Sequence, residues 1–316
     1  MTTPTPTRTD VHFRSEEDDC AAWLYLPDGA GPEHQVPVIV MAHGFSGVKE
    51  QRLDAFAERF VAVGYACLVF DYRHFGGSEG LPRELVNVKR QLQDWRNAVA
   101  FARSVPEADA NRVILWGTSF AGGHVLVTAA HDPGIAAVIS QCPFTDGQAA
   151  GLAMPRLTAL KLMGKAFQDV LAARLGREPV RVDAMGRPGD LAVMTSPDAL
   201  PGFKALLAAS GLDQAKMAVP ARVMFEVGTY VPGKSARKIA CAALFAVCDG
   251  DSVAPAKTTI RHLSKAPKGT VKRYDVGHFD IYVGEGFERV VSDQVLFLAA
   301  NVPPVPSDAR HLAPGI

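Results

Sequence analysis

The chain has 316 residues, of which 48% are hydrophobic and 21% are charged, so it can bury one large core. Lysine plus arginine and aspartate plus glutamate balance at 33 each. This balance offers no field that would attract nucleic acid or an anionic membrane, and the expected partner is a neutral or weakly charged small molecule.

The compartment is indicated by the cysteines and by the absence of long apolar runs. Five scattered cysteines, an odd number, indicate free buried thiols rather than a disulfide framework or a metal site. The first residues lack the apolar core of a signal peptide, and no run approaches the roughly 18 residues that span a bilayer. We therefore expect a cytoplasmic protein with loosely held ends, namely the first ten residues and the tail after Val302.

Strands and helices alternate along most of the chain. Short apolar runs predict strands at Ala21–Leu26, Val36–Ala42, Ala66–Asp71, Arg112–Trp116, Ala136–Gln141, Ala243–Cys248 and Val271–Val276. Apolar residues three and four apart predict helices at Asp54–Val63, Val86–Arg103, Phe120–Ala130 and Phe287–Ala299. The alternation predicts an α/β fold with a mostly parallel sheet that is covered on both faces.

The interval from 147 to 238 interrupts this alternation. It contains helical patterns at Leu157–Leu175 and Gly202–Met217 but no convincing strand. We interpret it as a helical cap inserted into a core made of residues 1–146 and 239–316. Phe144, Leu152, Met154, Met163, Phe225 and Tyr230 could line a pocket there, but apolar cap residues usually pack onto the core, so none is assigned to substrate.

A glycine-rich turn separates the strand that ends near Trp116 from the following helix. It reads Gly-Thr-Ser-Phe-Ala-Gly-Gly over residues 117–123, and it matches neither a Walker loop nor a dinucleotide-binding fingerprint. A strand-to-helix corner with Ser119 at its apex is typical of a nucleophile elbow. The elbow needs small residues two positions before and after the serine, so Ala121 meets the steric demand although glycine is usual there.

A nucleophilic serine needs a base and an acid that orients the base. His278, directly after the last predicted strand, is the expected base, whereas His124 on the elbow helix is expected to pack or to hydrogen-bond. The acidic turn after Ala243–Cys248 offers two acids, Asp249 and Asp251. The expected oxyanion donors are the backbone amides of Phe120 and Phe45, the latter in the loop that begins at His43.

Several segments together resemble the serine α/β-hydrolases of the dienelactone-hydrolase-like or X-Pro dipeptidyl-peptidase-like group, which includes acyl hydrolases and polyketide acyltransferases. The matching segments span residues 42–50, 70–80, 116–123, 251–255 and 277–282. The resemblance implies an α/β-hydrolase fold, with Asp251 as the acid and Arg73 in a structural corner. Dienelactone hydrolases proper carry a cysteine nucleophile, which Ser119 replaces here.

These residues predict a serine hydrolase acting on an ester, thioester or lactone with a largely apolar acyl part. Three alternatives share most of the motifs: an acyltransferase to an alcohol or amine, a peptidase, and a non-catalytic binder of small molecules. The peptidase lacks a visible site for a peptide amino terminus, and the complete triad argues against the binder. No metal or organic cofactor is expected. A homodimer is compatible with the sequence, which does not determine the oligomeric state.

Overall fold

The computed structural model describes residues 7–212 and 218–304. Its strands are β1 Thr7–Ser15, β2 Asp18–Leu26, β3 Val36–Ala42, β4 Ala66–Phe70, β5 Ala108–Thr118, β6 Ile135–Gln141, β7 Arg181–Met185, β8 Ala192–Met194, β9 Ala218–Pro220, β10 Ala242–Cys248 and β11 Gly269–Tyr274. Its α-helices are α1 Leu53–Val61, α2 Val88–Ser104, α3 Phe120–His131, α4 Gly147–Ala153, α5 Arg156–Arg174, α6 Ala199–Ala209, α7 Val223–Thr229, α8 Ala256–Leu263 and α9 Gly284–Asn301. Short 3₁₀ helices occupy Pro232–Lys238 and Asp280–Tyr282.

The main sheet has eight strands in the order β1-β2-β4-β3-β5-β6-β10-β11. The six strands β4, β3, β5, β6, β10 and β11 run parallel to one another. The pairs β1 with β2 and β2 with β4 are antiparallel. Every residue of β3 and β4 is buried, which explains their continuous apolar runs. The predicted α/β-hydrolase fold with a mostly parallel sheet is therefore confirmed.

Helices cover the sheet and fix its loops. Helices α1 and α9 contact each other, and Phe56 of α1 packs on Trp116 of β5 and on Phe287 of α9. Helix α2 contacts α3 and packs Trp95 edge-on against Phe70 of β4. Because parallel strands end at one edge of the sheet, the loops after β3, β5, β10 and β11 meet there.

The segment from 147 to 238 contains strands, so the expectation of no strand there is wrong. Strand β7 pairs parallel with β8 and antiparallel with β9, forming a separate three-stranded sheet beside helices α4 to α7. The buried carboxylate of Asp169 on α5 accepts hydrogen bonds from the Arg222 guanidinium at 2.6 and 3.0 Å and from the Val180 amide at 2.9 Å. These bonds tie α5 to the ends of the small sheet.

The two ends of this segment lie side by side on the core. The Gly147 amide donates to the Tyr230 carbonyl at 2.9 Å, and the Gly233 amide donates to the Thr145 carbonyl at 3.0 Å. A Cβ atom at Gly147 would lie 1.8 Å from the Val227 carbonyl oxygen, so the close approach requires glycine. The segment therefore leaves and rejoins the core at neighbouring points.

The structure also differs from the sequence-based expectations at the chain ends and at one helix boundary. Residues 7–10 are paired in β1, so they are not loosely held, and the predicted looseness of residues 1–6 and 305–316 lies outside the described residues. The helix predicted at Gly202–Met217 is α6, Ala199–Ala209, and positions 213–217 are also outside the description. No helix in the described ranges is both long enough and apolar enough to cross a membrane.

Candidate active site

Ser119 lies at the corner between β5 and α3. Its backbone has φ 56° and ψ −115°, a sparsely populated conformation for a residue with a side chain. Hydrogen bonds hold it there: its amide donates to the Gln141 carbonyl at 2.8 Å, and its carbonyl accepts from the Phe144 amide at 2.9 Å. The turn is therefore strained and fixed from both sides, as the sequence pattern predicts for an elbow.

Glycine and alanine residues allow the chain segments at this corner to approach each other closely. A Cβ atom at Gly117 would lie 2.3 Å from the Ala121 carbonyl oxygen, and one at Gly44 would lie 2.8 Å from the Ser119 Cβ. Ala121 is fully buried. The strand, the helix and the loop after β3 thus converge on Ser119, and each can do so because a glycine or alanine faces it.

His278 and Asp251 complete a hydrogen-bond chain to Ser119. The Nε2 atom of His278 lies 3.0 Å from the Ser119 Oγ, and its Nδ1 lies 2.6 Å from the Asp251 Oδ2. The His278 and Asp251 side chains are only 3% and 1% exposed. With Nδ1–H donating to Asp251, the Nε2 lone pair faces the serine hydroxyl, the arrangement that allows proton transfer from serine to imidazole.

The two candidate acids have different partners. The Oδ1 atom of Asp251 accepts from the Val253 and Ala254 amides at 2.8 and 2.6 Å, which leaves Oδ2 for His278. Asp249 instead accepts from the Arg273 Nε at 2.8 Å on the surface. The geometry therefore brings Asp251, and not Asp249, to the serine and the histidine.

Phe45 and Phe120, the residues predicted to supply the oxyanion amides, lie together at Ser119. Their rings pack edge to face with centroids 5.7 Å apart. Phe120 is the first residue of α3, where the helix dipole favours negative charge, and Phe45 follows the glycine that contacts Ser119. The assignment of their amides as oxyanion donors stays a prediction.

A buried ion pair that the sequence analysis did not single out braces the loop after β3. Asp71 accepts from the Lys49 amide at 2.7 Å, from the Lys49 Nζ at 2.8 Å and from the Gly77 amide at 3.0 Å. His43 donates through Nδ1 to the Gly44 carbonyl at 2.9 Å, and burial lowers the His43 pKa, which keeps the ring neutral. No local motif marked Lys49 and Asp71 as partners, because they are brought together only by the sheet.

Two residues singled out in the sequence as structural have that role. His124 is fully buried; it donates from Nε2 to the Gln91 Oε1 at 3.0 Å and accepts at Nδ1 from the Tyr230 hydroxyl at 2.8 Å. Arg73 donates to Asp94 at 2.6 Å and to Glu16 at 2.7 Å. Both side chains are therefore buried and held by polar partners.

An apolar cavity of about 370 Å³ opens at Ser119. Phe144 and Met154 are among its lining residues, together with Val193 and Met194 from the small sheet. Leu152, another pocket candidate in the sequence, is instead 89% exposed, and Tyr230 bonds to His124. A larger open groove of about 700 Å³, lined by Arg83, Arg177 and Arg181 among others, contains none of the five predicted site residues.

Comparison with known proteins identifies relatives over most of the chain. The profile of the family described as "X-Pro dipeptidyl-peptidase (S15 family)" matches residues 18–186. Quorum-quenching protein AidA of Acinetobacter baumannii is 53% identical over 294 residues, covering 93% of this chain and 95% of that protein. Polyketide transferase af380 of Aspergillus fumigatus is 27% identical over 301 residues, covering 93% and 99%.

The fold is also found among solved structures. The crystal structure of the alpha/beta hydrolase GrgF from Penicillium sp. sh18 superposes with a TM-score of 0.79, covering 93% of this chain and 99% of that one at 22% identity. This likeness establishes the shared architecture. The family profile ends before Asp251 and His278, so the convergence of these two residues on Ser119 is an observation independent of that match.

Proposed function

Because the chain belongs to the X-Pro dipeptidyl-peptidase (S15) family and has the α/β-hydrolase fold, we propose that it is a serine hydrolase that forms an acyl-serine intermediate. The substrate class is an ester, thioester or lactone with a largely apolar acyl part. The observation that carries the proposal is the Ser119–His278–Asp251 hydrogen-bond chain at the mouth of an apolar cavity of about 370 Å³.

In the first half of the reaction, His278 Nε2 takes the proton of Ser119 as Oγ attacks the carbonyl carbon of the substrate. Asp251 orients the imidazole and stabilises its positive charge. The Phe45 and Phe120 amides donate to the developing oxyanion, for which the N-terminus of α3 adds favourable potential. The bond to the leaving group then breaks, and that group departs with the proton from His278.

In the second half, water attacks the acyl-serine carbonyl. His278 takes a proton from that water, the bond between the acyl carbon and Ser119 Oγ breaks, and Ser119 regains its proton from His278. The acid is released, and the enzyme returns to its starting protonation state. The acyl substrate and one water molecule account for the balance of atoms and charge.

The apolar cavity supports a hydrophobic acyl part. Its walls are mostly carbon, and their polar side chains are the hydroxyls of Ser119, Thr195, Ser196 and Ser252. Phe45 and Phe120 line the cavity together with Ser119, so an acyl chain would lie against aromatic rings as its carbonyl reaches the serine.

A second candidate function, acyl transfer to an alcohol or amine, is favoured by the polyketide transferase that aligns with nearly the whole chain. Both reactions share the acyl-serine and differ in the nucleophile that resolves it. Supplying acyl donors with and without alcohol or amine acceptors separates them, since transfer would yield the acylated acceptor in preference to the free acid.

A fluorophosphonate probe followed by peptide mass spectrometry tests the proposal without knowledge of the substrate. We expect labelling at Ser119, loss of labelling in Ser119→Ala, and a fall in turnover of an activated acyl ester of about 10⁴- to 10⁶-fold in that variant. Ser104→Ala, which removes a surface hydroxyl on α2, is the matched control and should label normally. Turnover that survives in Ser119→Ala would refute the mechanism.

A further inference from the structure

A second, smaller cavity also opens onto Ser119. Its volume is about 30 Å³, and Phe45, Ser119 and Met194 line both this cavity and the apolar one. His278 lines the small cavity as well. The serine and its proposed base therefore face a space that is distinct from the one that suits an acyl chain.

In the described part of the chain, Gln51 is one of two residues in the small-cavity lining with a buried side-chain nitrogen that lacks a hydrogen-bond partner; the other, His43, lies 3.6 Å from Asp71. Gln51 is 5% exposed, and its buried Nε2 atom has no hydrogen-bond partner among the described residues. Much of the surrounding wall is apolar, from Leu53, Met185, Phe203, Leu206 and Phe279. An amide nitrogen buried without a partner is costly, so a polar molecule is expected beside it.

The Gln51 carboxamide has a defined position. The Gln51 backbone amide donates to the Val48 carbonyl at 3.0 Å, which closes a turn of the loop after β3. A Cβ atom at Gly47 would lie 2.8 Å from the Gln51 Oε1, so the side chain lies directly over that glycine. The carboxamide therefore lies against Gly47, and both residues line the small cavity.

We propose that the small cavity is a water subsite and that Gln51 positions the water that deacylates Ser119. This inference rests on the proposed function. Gln51 Nε2–H donates to the water oxygen, while the water donates one proton to His278 Nε2 and its oxygen attacks the acyl carbon. That carbon then releases Ser119 Oγ, which takes the proton back from His278, and the free acid leaves.

The size of the cavity selects the nucleophile. A single water needs roughly 10–15 Å³ of such space, so about 30 Å³ holds one or two waters. An alcohol or amine acceptor with more than one or two carbon atoms is too large for it. The subsite thus favours hydrolysis over acyl transfer in this chain, with Met185 and Met194 of the small sheet narrowing the space.

The test separates the two half-reactions by rapid-quench kinetics on a p-nitrophenyl acyl ester, with active sites counted by fluorophosphonate titration. In Gln51→Met, which keeps the length but removes the donor, we expect the nitrophenol burst to stay within about threefold of wild type. Deacylation should slow by about 10- to 100-fold, so that acyl-Ser119 accumulates in intact-mass spectra. Gln51→Asn, a second variant that keeps an amide, should show a smaller defect in the same step.

Gln93→Met on α2 is the matched control, because it makes the same chemical change at a side chain that bonds to Asn97 far from the loop. It should leave both half-reactions unchanged. Equal slowing of acylation and deacylation in Gln51→Met, or normal deacylation, would overturn the water subsite while the hydrolase proposal stands. Failure of wild type to form any acyl-Ser119 would instead overturn the proposed function itself.

Discussion

At the scale of single residues, Asp249 and Asp251 are two positions apart but have different surroundings. Asp251 is buried and bonds to His278, whereas Asp249 pairs with exposed Arg273. We expect Asp251→Asn to lower the turnover of an activated ester by about 10⁴-fold, because the imidazole loses the partner that fixes its tautomer. Asp249→Asn should change it by less than about threefold, since an exposed ion pair contributes little. A large loss in Asp249→Asn alone would reverse the assignment.

The candidate nucleophile, base and acid could be proposed from the sequence because each follows a recognisable strand. Ser119 comes with an elbow pattern, and His278 is next to the last strand. Gln51 and the Lys49–Asp71 pair carry no such signal. Their roles depend on burial and on partners that are distant in the chain, and a lone glutamine in a loop looks the same in sequence whether it is solvated or buried.

At the scale of elements, the elbow depends on how closely β5 and α3 approach each other. Ala121→Gly should keep activity within about tenfold, with a loss of stability of about 1 kcal/mol for a glycine in a helix. Ala121→Leu should lower activity by about 100-fold or more, because overpacking would displace α3 and with it Ser119. Ester turnover and urea denaturation of both variants are the measurements, and an active Ala121→Leu would contradict the steric explanation.

The parallel sheet was predictable, and the small sheet was not. Strands β3 and β4 are buried on both faces, and their sequences are therefore continuous apolar runs. By contrast β8 and β9 have three residues each, and β7 carries Arg181 and Asp183 on its exposed side. Such short strands have too few residues for a period to be seen, and β7 packs against α5.

At the scale of the whole molecule, the buried His124 gives folding a defined response to acid. Burial lowers the pKa of His124 to about 3, compared with about 6.5 for an exposed histidine. Between these values the unfolded chain binds a proton that the folded chain does not. The free energy of unfolding should therefore fall with falling pH, by about 1.4 kcal/mol per pH unit from this residue.

His124→Gln isolates this contribution, because glutamine can still bond to Gln91 and Tyr230 but does not titrate. Urea denaturation at about pH 6, 5 and 4 should give a shallower pH dependence for the variant than for wild type. Other buried groups that do not interact with His124, such as His74, are common to both proteins and cancel in the difference. Parallel pH profiles of the two proteins would contradict the assignment of the acid response to His124.

The neighbouring exit and return points of the segment from 147 to 238 have a consequence for how such enzymes diversify. Since the chain leaves at Gly147 and rejoins at Gly233 through adjacent hydrogen bonds, a replacement segment of different length could be spliced in without moving the strands that carry Ser119, Asp251 and His278. The segment supplies Met154, Val193 and Met194 to the cavity walls. Segments of different length could therefore change the shape of the cavity while the proposed catalytic residues keep their positions.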